Sequence, residues 1–361
     1  MRALRIYAGA AARAHLHQLG LRPHDIGVVP GAAGGPKGLI LGPLDRWLFG
    51  HWLAQAQRTV HLVGASIGAW RMATACLHDA VAAFERLERD YIAQDYVVEP
   101  GRTRPTPQHV SAAFAHNLRL FFGGRVHEVL QHPHWRVHIV TARGRHVLAR
   151  EGRWRTPLGY AAAYLSNAVH RRALQAWLER VVFSSVAPNA APPGLPFDTR
   201  DYRTRAVTLS VDNFMPALQA SCSIPFVLQA VHDIPGAPPG AYWDGGITDY
   251  HLHLRWRPEL GLVLYPHFQR QIVPGWLDKA LPWRHRATDA LDHTIVLAPD
   301  PQWVRTLLNG KLPDRSDFPR YGKDLAARVR AWTTAVREAQ RLADEFQAWL
   351  QRPDPSVVEP L

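Results

Sequence analysis

Residues 64–68 read Gly-Ala-Ser-Ile-Gly and follow the short apolar run Val60-His61-Leu62-Val63. A serine between glycines at this spacing can stand on a sharp strand-to-helix turn with its Oγ exposed. Gly64 and Gly68 suit such a turn because it brings backbone segments too close for a Cβ. On that reading Ser66 is a nucleophile. Otherwise it is an ordinary turn serine. A second pattern, Gly34-Gly35-Pro36-Lys37-Gly38, lies between a predicted strand at 26–29 and a predicted helix at 38–56. Successive glycine N–H groups at a helix start can cradle negative charge. A phosphate loop needs Gly-Lys-Ser/Thr, and Lys37 lies instead between Pro36 and Gly38. The glycines at 31, 34, 35 and 38 also miss the G-x-G-x-x-G spacing. An oxyanion hole for acyl transfer and a plain left-handed turn remain open.

A third pattern is Trp243-Asp244-Gly245-Gly246. A serine hydroxyl needs a base, and the 20 histidines of the chain are scattered, with none in a recognisable triad context. Asp244 beside Gly245 and Gly246 can approach another backbone closely, orient Ser66 and accept its proton. An aspartate is a weak base, with an ordinary pKa of ~3.9, so positioning must supply much of the effect. His251 and His253 form an H-x-H pair with no matching cysteine or carboxylate cluster. No metal and no cofactor is expected.

The elements that would carry these residues alternate in a regular way. The spacing predicts a helix over 9–20, a buried strand at 26–29, a helix over 38–56 with Leu41, Leu44, Leu48 and Trp52 on one face, and a strand at 59–63. A helix from the Ser66 turn to Leu77 completes strand–turn–helix–strand–turn–helix, the pattern of a parallel α/β sheet. Segments 81–95, 107–121 and 158–181 read as helices, broken by a Pro/Gly loop at 99–107. Strands are predicted at 137–140, 206–209, 262–264 and 294–297. The Pro-rich segment 187–197 is a candidate lid. A last helix over 323–351 places Leu325, Val329, Trp332, Val336, Ala339, Ala343, Phe346 and Leu350 at heptad spacing. It would pack on its own domain, form a dimer seam or face a membrane. The division expected is 1–322 for the catalytic domain and 323–361 for an amphipathic C-terminal extension.

The chain has 361 residues, 47% of them hydrophobic, which supports a sizeable core. Its formal charge of +12 favours anionic partners. The arginines form no run of five or more, so nucleic-acid binding has no motif behind it. The 13 tryptophans and the charge instead point to peripheral contact with an anionic membrane. Cys76 and Cys222 make no disulfide framework and fit a reducing compartment. The basic start Met1–Ala8 has too short an apolar segment for a signal peptide, and cytoplasmic location is the expectation.

Together the three patterns resemble the patatin-like phospholipase family, over roughly residues 24–255. That family carries a glycine-rich oxyanion loop ending in Arg/Lys-Gly, then G-x-S-x-G, then a distant Asp-Gly-Gly/Ala. The order here is Gly34 to Gly38, Ser66, Asp244. A fourth segment, Ala220-Ser221-Cys222-Ser223-Ile224-Pro225-Phe226, is similar to the family's A-S-x-A-x-P, with Ser223 in place of the second alanine. Ala33 stands where the family often has its first glycine. The resemblance implies a three-layer α/β/α fold with a mostly parallel central sheet. It implies a Ser66–Asp244 dyad without histidine and oxyanion donors at Gly34 and Gly35, with Lys37 at the basic position before Gly38. It also implies an acyl-enzyme route to hydrolysis of phospholipids, lysophospholipids or other fatty acyl esters. Two other readings stand beside it. One is an α/β-hydrolase triad using a late histidine such as His293; the other is a membrane-associated scaffold with a degenerate hydrolase fold.

Overall fold

The computed structural model describes residues 1–96, 98, 101–102, 104–187 and 194–361. Residues 188–193 of the candidate lid, and residues 99, 100 and 103 of the 99–107 loop, lie outside the described residues. Among the described residues eleven strands make one sheet: β1 (Leu4–Ala8), β2 (Ile26–Gly31), β3 (Val60–Ala65), β4 (Trp135–Gly144), β5 (Leu178–Ser184), β6 (Thr204–Thr208), β7 (Val231–His232), β8 (Ala241–Asp244), β9 (Leu262–Pro266), β10 (Thr294–Pro299) and β11 (Val358–Pro360). The main order is β11-β1-β10-β9-β2-β3-β4-β5-β6. The run β10-β9-β2-β3-β4 is parallel throughout. Antiparallel pairing enters at β1 against β10 and at β5 and β8 against β4.

Side chains of a strand alternate between faces, and here each face has its own core. Val29, Leu62, Ile139, Val181 and Leu264 join the larger cluster. Their neighbours Val28, Val63, Val140, Val182 and Val263 join a second cluster on the opposite face. A strand buried on both faces must be apolar at nearly every position, which is why the central strands read as continuous runs. The helices Ala10–Leu19, Ile67–Ala75, Pro107–Phe122 and Val211–Ser221 contribute to the larger cluster. The helix Arg155–Val169 and the segment 250–256 cover the other side. This is the mostly parallel α/β architecture that the residues and the resemblance imply.

Three expectations need revision, and one strand, β1, is not foreseen in the sequence. The predicted helix over 38–56 is a 3-10 turn at Gly35–Leu41, an α-helix at Gly42–Trp47, a π-helical turn at Leu48–Trp52 and a 3-10 turn at Leu53–Ala56. Pro36 and Pro43 sit where the first two of these segments start, since proline cannot donate into an existing helix. The predicted helix over 158–181 ends at Val169 and passes through a 3-10 turn into β5. The N-terminal segment, read only for targeting, forms β1 in the sheet. The last helix is two, Leu325–Glu338 and Gln340–Gln351, meeting at Ala339.

The stripe on those last two helices is inward. Trp332 and Phe346 are 1% and 0% exposed. Phe346 meets Trp47 and Trp52 edge-on, with ring centroids 5.9 and 6.0 Å away, and stacks on Trp349. The same positions that suggested a dimer seam therefore close the core over the helix that follows the glycine loop. Emptying such a site costs the transfer energy and leaves a cavity. Phe346→Ala is expected to destabilise the fold by about 3–5 kcal/mol, read as a lowered urea midpoint. An unchanged midpoint would contradict this packing.

Candidate active site

β4 is long, and its one edge is shared. Its first six residues pair with β3, ending at Ala65 opposite Val140. The next residues on the same strand pair with β8, starting with Thr141 opposite Asp244. β3 and β8 run toward each other and stop one register position apart. The turn after β3 and the end of β8 are thereby forced together, although 178 residues separate them in sequence.

The turn after β3 is tight. A Cβ on Gly64 would lie 2.3 Å from Ala69 Cα, and one on Gly68 would lie 1.8 Å from the Gly31 carbonyl oxygen. Neither contact is tolerable, so both positions need glycine. Ser66 sits between them at φ 56°, ψ −130°. That region is costly for a residue with a side chain, by about 1–3 kcal/mol, and persists only where the surroundings enforce it. The enforcement is visible. Ser66 N–H donates to Ser221 Oγ at 3.0 Å, and Ser221 Oγ donates to the Val140 carbonyl at 2.6 Å. Behind the turn, Arg71 forms a bidentate, buried pair with Asp45, both bonds at 2.7 Å. It joins the helix after Ser66 to the helix after the glycine loop.

Ser66 Oγ donates to Asp244 Oδ2 at 2.7 Å. The other carboxylate oxygen accepts from the Gly246 N–H at 2.7 Å, and the Asp244 N–H donates to the Ser223 carbonyl at 2.9 Å. The two glycines after Asp244 meet strict limits. A Cβ on Gly245 would fall 2.1 Å from the Val140 oxygen, and one on Gly246 would fall 2.7 Å from Ala33 Cβ. Ser66 and Asp244 are 4% and 5% exposed. Burial is the largest influence on the Asp244 carboxyl and pushes it up to about 6, against the opposing pull of Ser66, Arg315, the Gly246 amide and Lys279. A carboxylate moved that far is a better base near neutral pH than an ordinary aspartate.

These groups open onto a cavity of about 260 Å³ that also reaches Gly34, Lys37 and Gly246. The Ala33 amide is already committed to the Tyr250 carbonyl at 2.9 Å, so the next amides of the turn are those of Gly34 and Gly35. Gly34 packs under Phe268, where a Cβ would lie 2.6 Å from the ring. Gly35 has φ +57° and lies beside Arg315, while Gly38 packs against Ile67 and Arg71. Apolar walls come from Ile224, Pro225, Ile247 and Trp276. Lys37, Lys279 and Arg315 supply positive charge. The Lys279 ammonium, 3.9 Å from the Tyr250 ring centroid, is lowered to about 8 by desolvation and then by Arg315 and Lys37. Sequence reasoning missed Arg315, Lys279, Tyr250 and Trp276. All but Tyr250 come from the part of the chain beyond 266, where no motif marks them.

Among the described residues no histidine lines this cavity. His293 precedes β10, and β10 is parallel to β3 through β9 and β2, so His293 lies at the opposite end of the sheet from Ser66. His251 and His253 point to separate partners, the Gln271 and Ile272 carbonyls. No group of three or more His, Cys, Asp or Glu among the described residues is placed to hold a metal ion.

Two outcomes follow from this geometry. A carboxyl raised in the folded state binds a proton there that the unfolded chain has released, so stability present below the unfolded value is lost as pH rises through about 6. Asp244→Asn removes that titration. Its melting temperature is expected to exceed the wild-type value by an amount that is smallest near pH 4 and grows toward pH 7. A gap independent of pH would contradict the raised carboxyl. Gly68→Ala is expected to cost about 2–4 kcal/mol, measured by urea unfolding, because its methyl must displace the Gly31 backbone.

A family model, patatin-like phospholipase, matches residues 33–251, more than half of the chain. No match to a curated protein was found. The matched region runs from the glycine loop through Ser66 to the segment just beyond Asp244. With its mostly parallel α/β sheet and that match, the chain belongs to the patatin-like phospholipase family.

Proposed function

We propose that the protein is a serine lipid acyl hydrolase that works through a Ser66–Asp244 dyad. Family membership implies lipid acyl hydrolysis. The observation that carries the dyad is the 2.7 Å bond from Ser66 Oγ to Asp244 Oδ2 at the floor of a partly apolar cavity. In the first step Oγ attacks an ester carbonyl carbon and its proton passes to Asp244. The tetrahedral oxyanion is received by the Gly34 and Gly35 amides, with Lys37 beside them and Gly38 shaping the turn. The carbon–oxygen bond to the alcohol then breaks, and Asp244 returns the proton to the departing oxygen. In the second step water gives a proton to Asp244 and attacks the acyl-enzyme. The fatty acid leaves, and the proton goes back to Ser66 Oγ.

Apolar walls at Ile224, Pro225 and Trp276 suit an acyl chain. A second cavity of about 550 Å³ shares Lys37, Tyr250 and Lys279 with the first and adds Arg286. Its charge suits an anionic headgroup, in keeping with phospholipid or lysophospholipid esters. The chemistry needs no cofactor. Among the described residues no helix is long and apolar enough to cross a membrane. An enzyme that meets its lipid from one side of a membrane fits the charge and the apolar walls of the site.

Asp244 must be ionised to take the proton. Activity on a lysophospholipid or a p-nitrophenyl acyl ester is therefore expected to rise with pH through about 6 and level off above it. Ser66→Ala and Asp244→Asn are each expected to lower kcat/KM by about 10²–10⁴-fold or more while the circular dichroism spectrum stays native. Wild-type turnover in either folded variant would remove the dyad reading.

A further inference from the structure

The helix Arg155–Val169 has the wrong outer face for a solvated helix. Its inner side, including Thr156, Tyr160, Ala163 and Asn167, is buried as expected. A surface helix then normally turns charged and polar residues outward. Here residues 156–169 contain no charged side chain at all. Outward stand Leu158 and Leu165, each 65% exposed, and Val169 at 85%, with Trp154 at 71% just before the helix. Their spacing of four, seven and four puts them in one stripe. The charges are gathered at the ends. Arg153 and Arg155 are exposed before the helix body, and Arg172 after it. The Arg153 guanidinium lies over the Trp154 ring at 5.5 Å.

This helix touches two of the segments that line the Ser66 cavity. At one side Tyr160 meets Phe226 with ring centroids 6.1 Å apart, and Phe226 continues the segment whose Ile224 and Pro225 line the cavity. Phe226 and Val227 are themselves 56% and 48% exposed. At the other side Asn167 Nδ2 donates to Asp278 Oδ1 at 2.8 Å, between the cavity residues Trp276 and Lys279.

We propose that this face docks on an anionic lipid bilayer and sets the cavity mouth against it. The apolar stripe and Trp154 would enter the interface, with the flanking cations among the headgroups. A second copy of the chain is a poorer occupant. Both ends of the helix are basic, so pairing two such helices in either direction sets cation against cation, whereas anionic headgroups satisfy both ends. The C-terminal stripe, which the sequence offered for this role, is buried in the core. The purpose of docking rests on the acyl-hydrolase reading, but the binding itself does not require Ser66 to react.

The test uses the full chain carrying Ser66→Ala, so that binding is read without turnover. Partitioning is measured by vesicle flotation on phosphatidylcholine alone and on phosphatidylcholine with phosphatidylglycerol. Binding is expected on the mixed vesicles and to be weaker on phosphatidylcholine alone. Adding Trp154→Ser, Leu158→Ser and Leu165→Ser is expected to weaken it at least about tenfold, with an unchanged melting temperature. Arg153→Glu with Arg155→Glu is expected to bring binding on mixed vesicles down to the phosphatidylcholine level. Equal partitioning of parent and triple variant, or no vesicle binding by the parent, would overturn the proposal. So would a parent dimer in gel filtration that the triple variant abolishes while vesicle binding is unaffected. None of these outcomes depends on whether Ser66 is a nucleophile.

Discussion

The site depends on β4 offering one edge to two strands that approach head-on. β3 delivers Ser66 at the end of its pairing, and β8 delivers Asp244 one register position further along. Neither residue needs its neighbours in sequence to find the other. The sheet's hydrogen-bond register fixes their separation, and the remaining freedom is removed by backbone contacts so close that glycine is required at 64, 68, 245 and 246. A side chain held this way loses little further entropy on reaching a reactive geometry.

Holding the pair inside the fold has an electrostatic consequence. The carboxylate of Asp244 gives up water and receives only a serine hydroxyl, one backbone amide and more distant cations in return. Desolvation wins over these contacts, and the carboxyl rises to about 6. The same burial that costs stability above that pH supports the proposed role of the aspartate as base for the serine proton. The strained backbone of Ser66 belongs to the same balance. The turn aims Oγ into the cavity, and the Ser221 hydrogen bond and the Gly31–Gly68 approach keep it there.

Much of this was legible in the residues. Gly64, Ser66 and Gly68 marked a turn that only glycine permits, and Asp244 was marked by two glycines that let it reach another backbone. The central strands were legible because a strand buried on both faces is apolar at most positions. β5 was not, since Glu179 and Arg180 interrupt it and mimic the polar face of a helix. In the fold Arg180 is buried against Asp249 and Asp201, and Glu179 is paired with Arg143. Long-range partners of that kind leave no local trace. Arg315 and Lys279 escaped for the same reason, because their nearness to Asp244 is a property of the folded chain. Heptad spacing in the C-terminal segment marks an apolar stripe, but spacing alone cannot say whether a stripe faces inward or outward. The outward stripe is on the helix Arg155–Val169, where the absence of charge rather than a period is the signal.

The central claim is that Ser66 is activated by Asp244. The most direct measurement is covalent labelling by a fluorophosphonate, followed by intact mass and peptide mapping, for the wild type and for Asp244→Asn. The account predicts one adduct per chain, located on Ser66, formed rapidly by the wild type and far more slowly by the folded Asp244→Asn variant. An adduct on another residue, or equal labelling of Ser66 in both proteins, would contradict it.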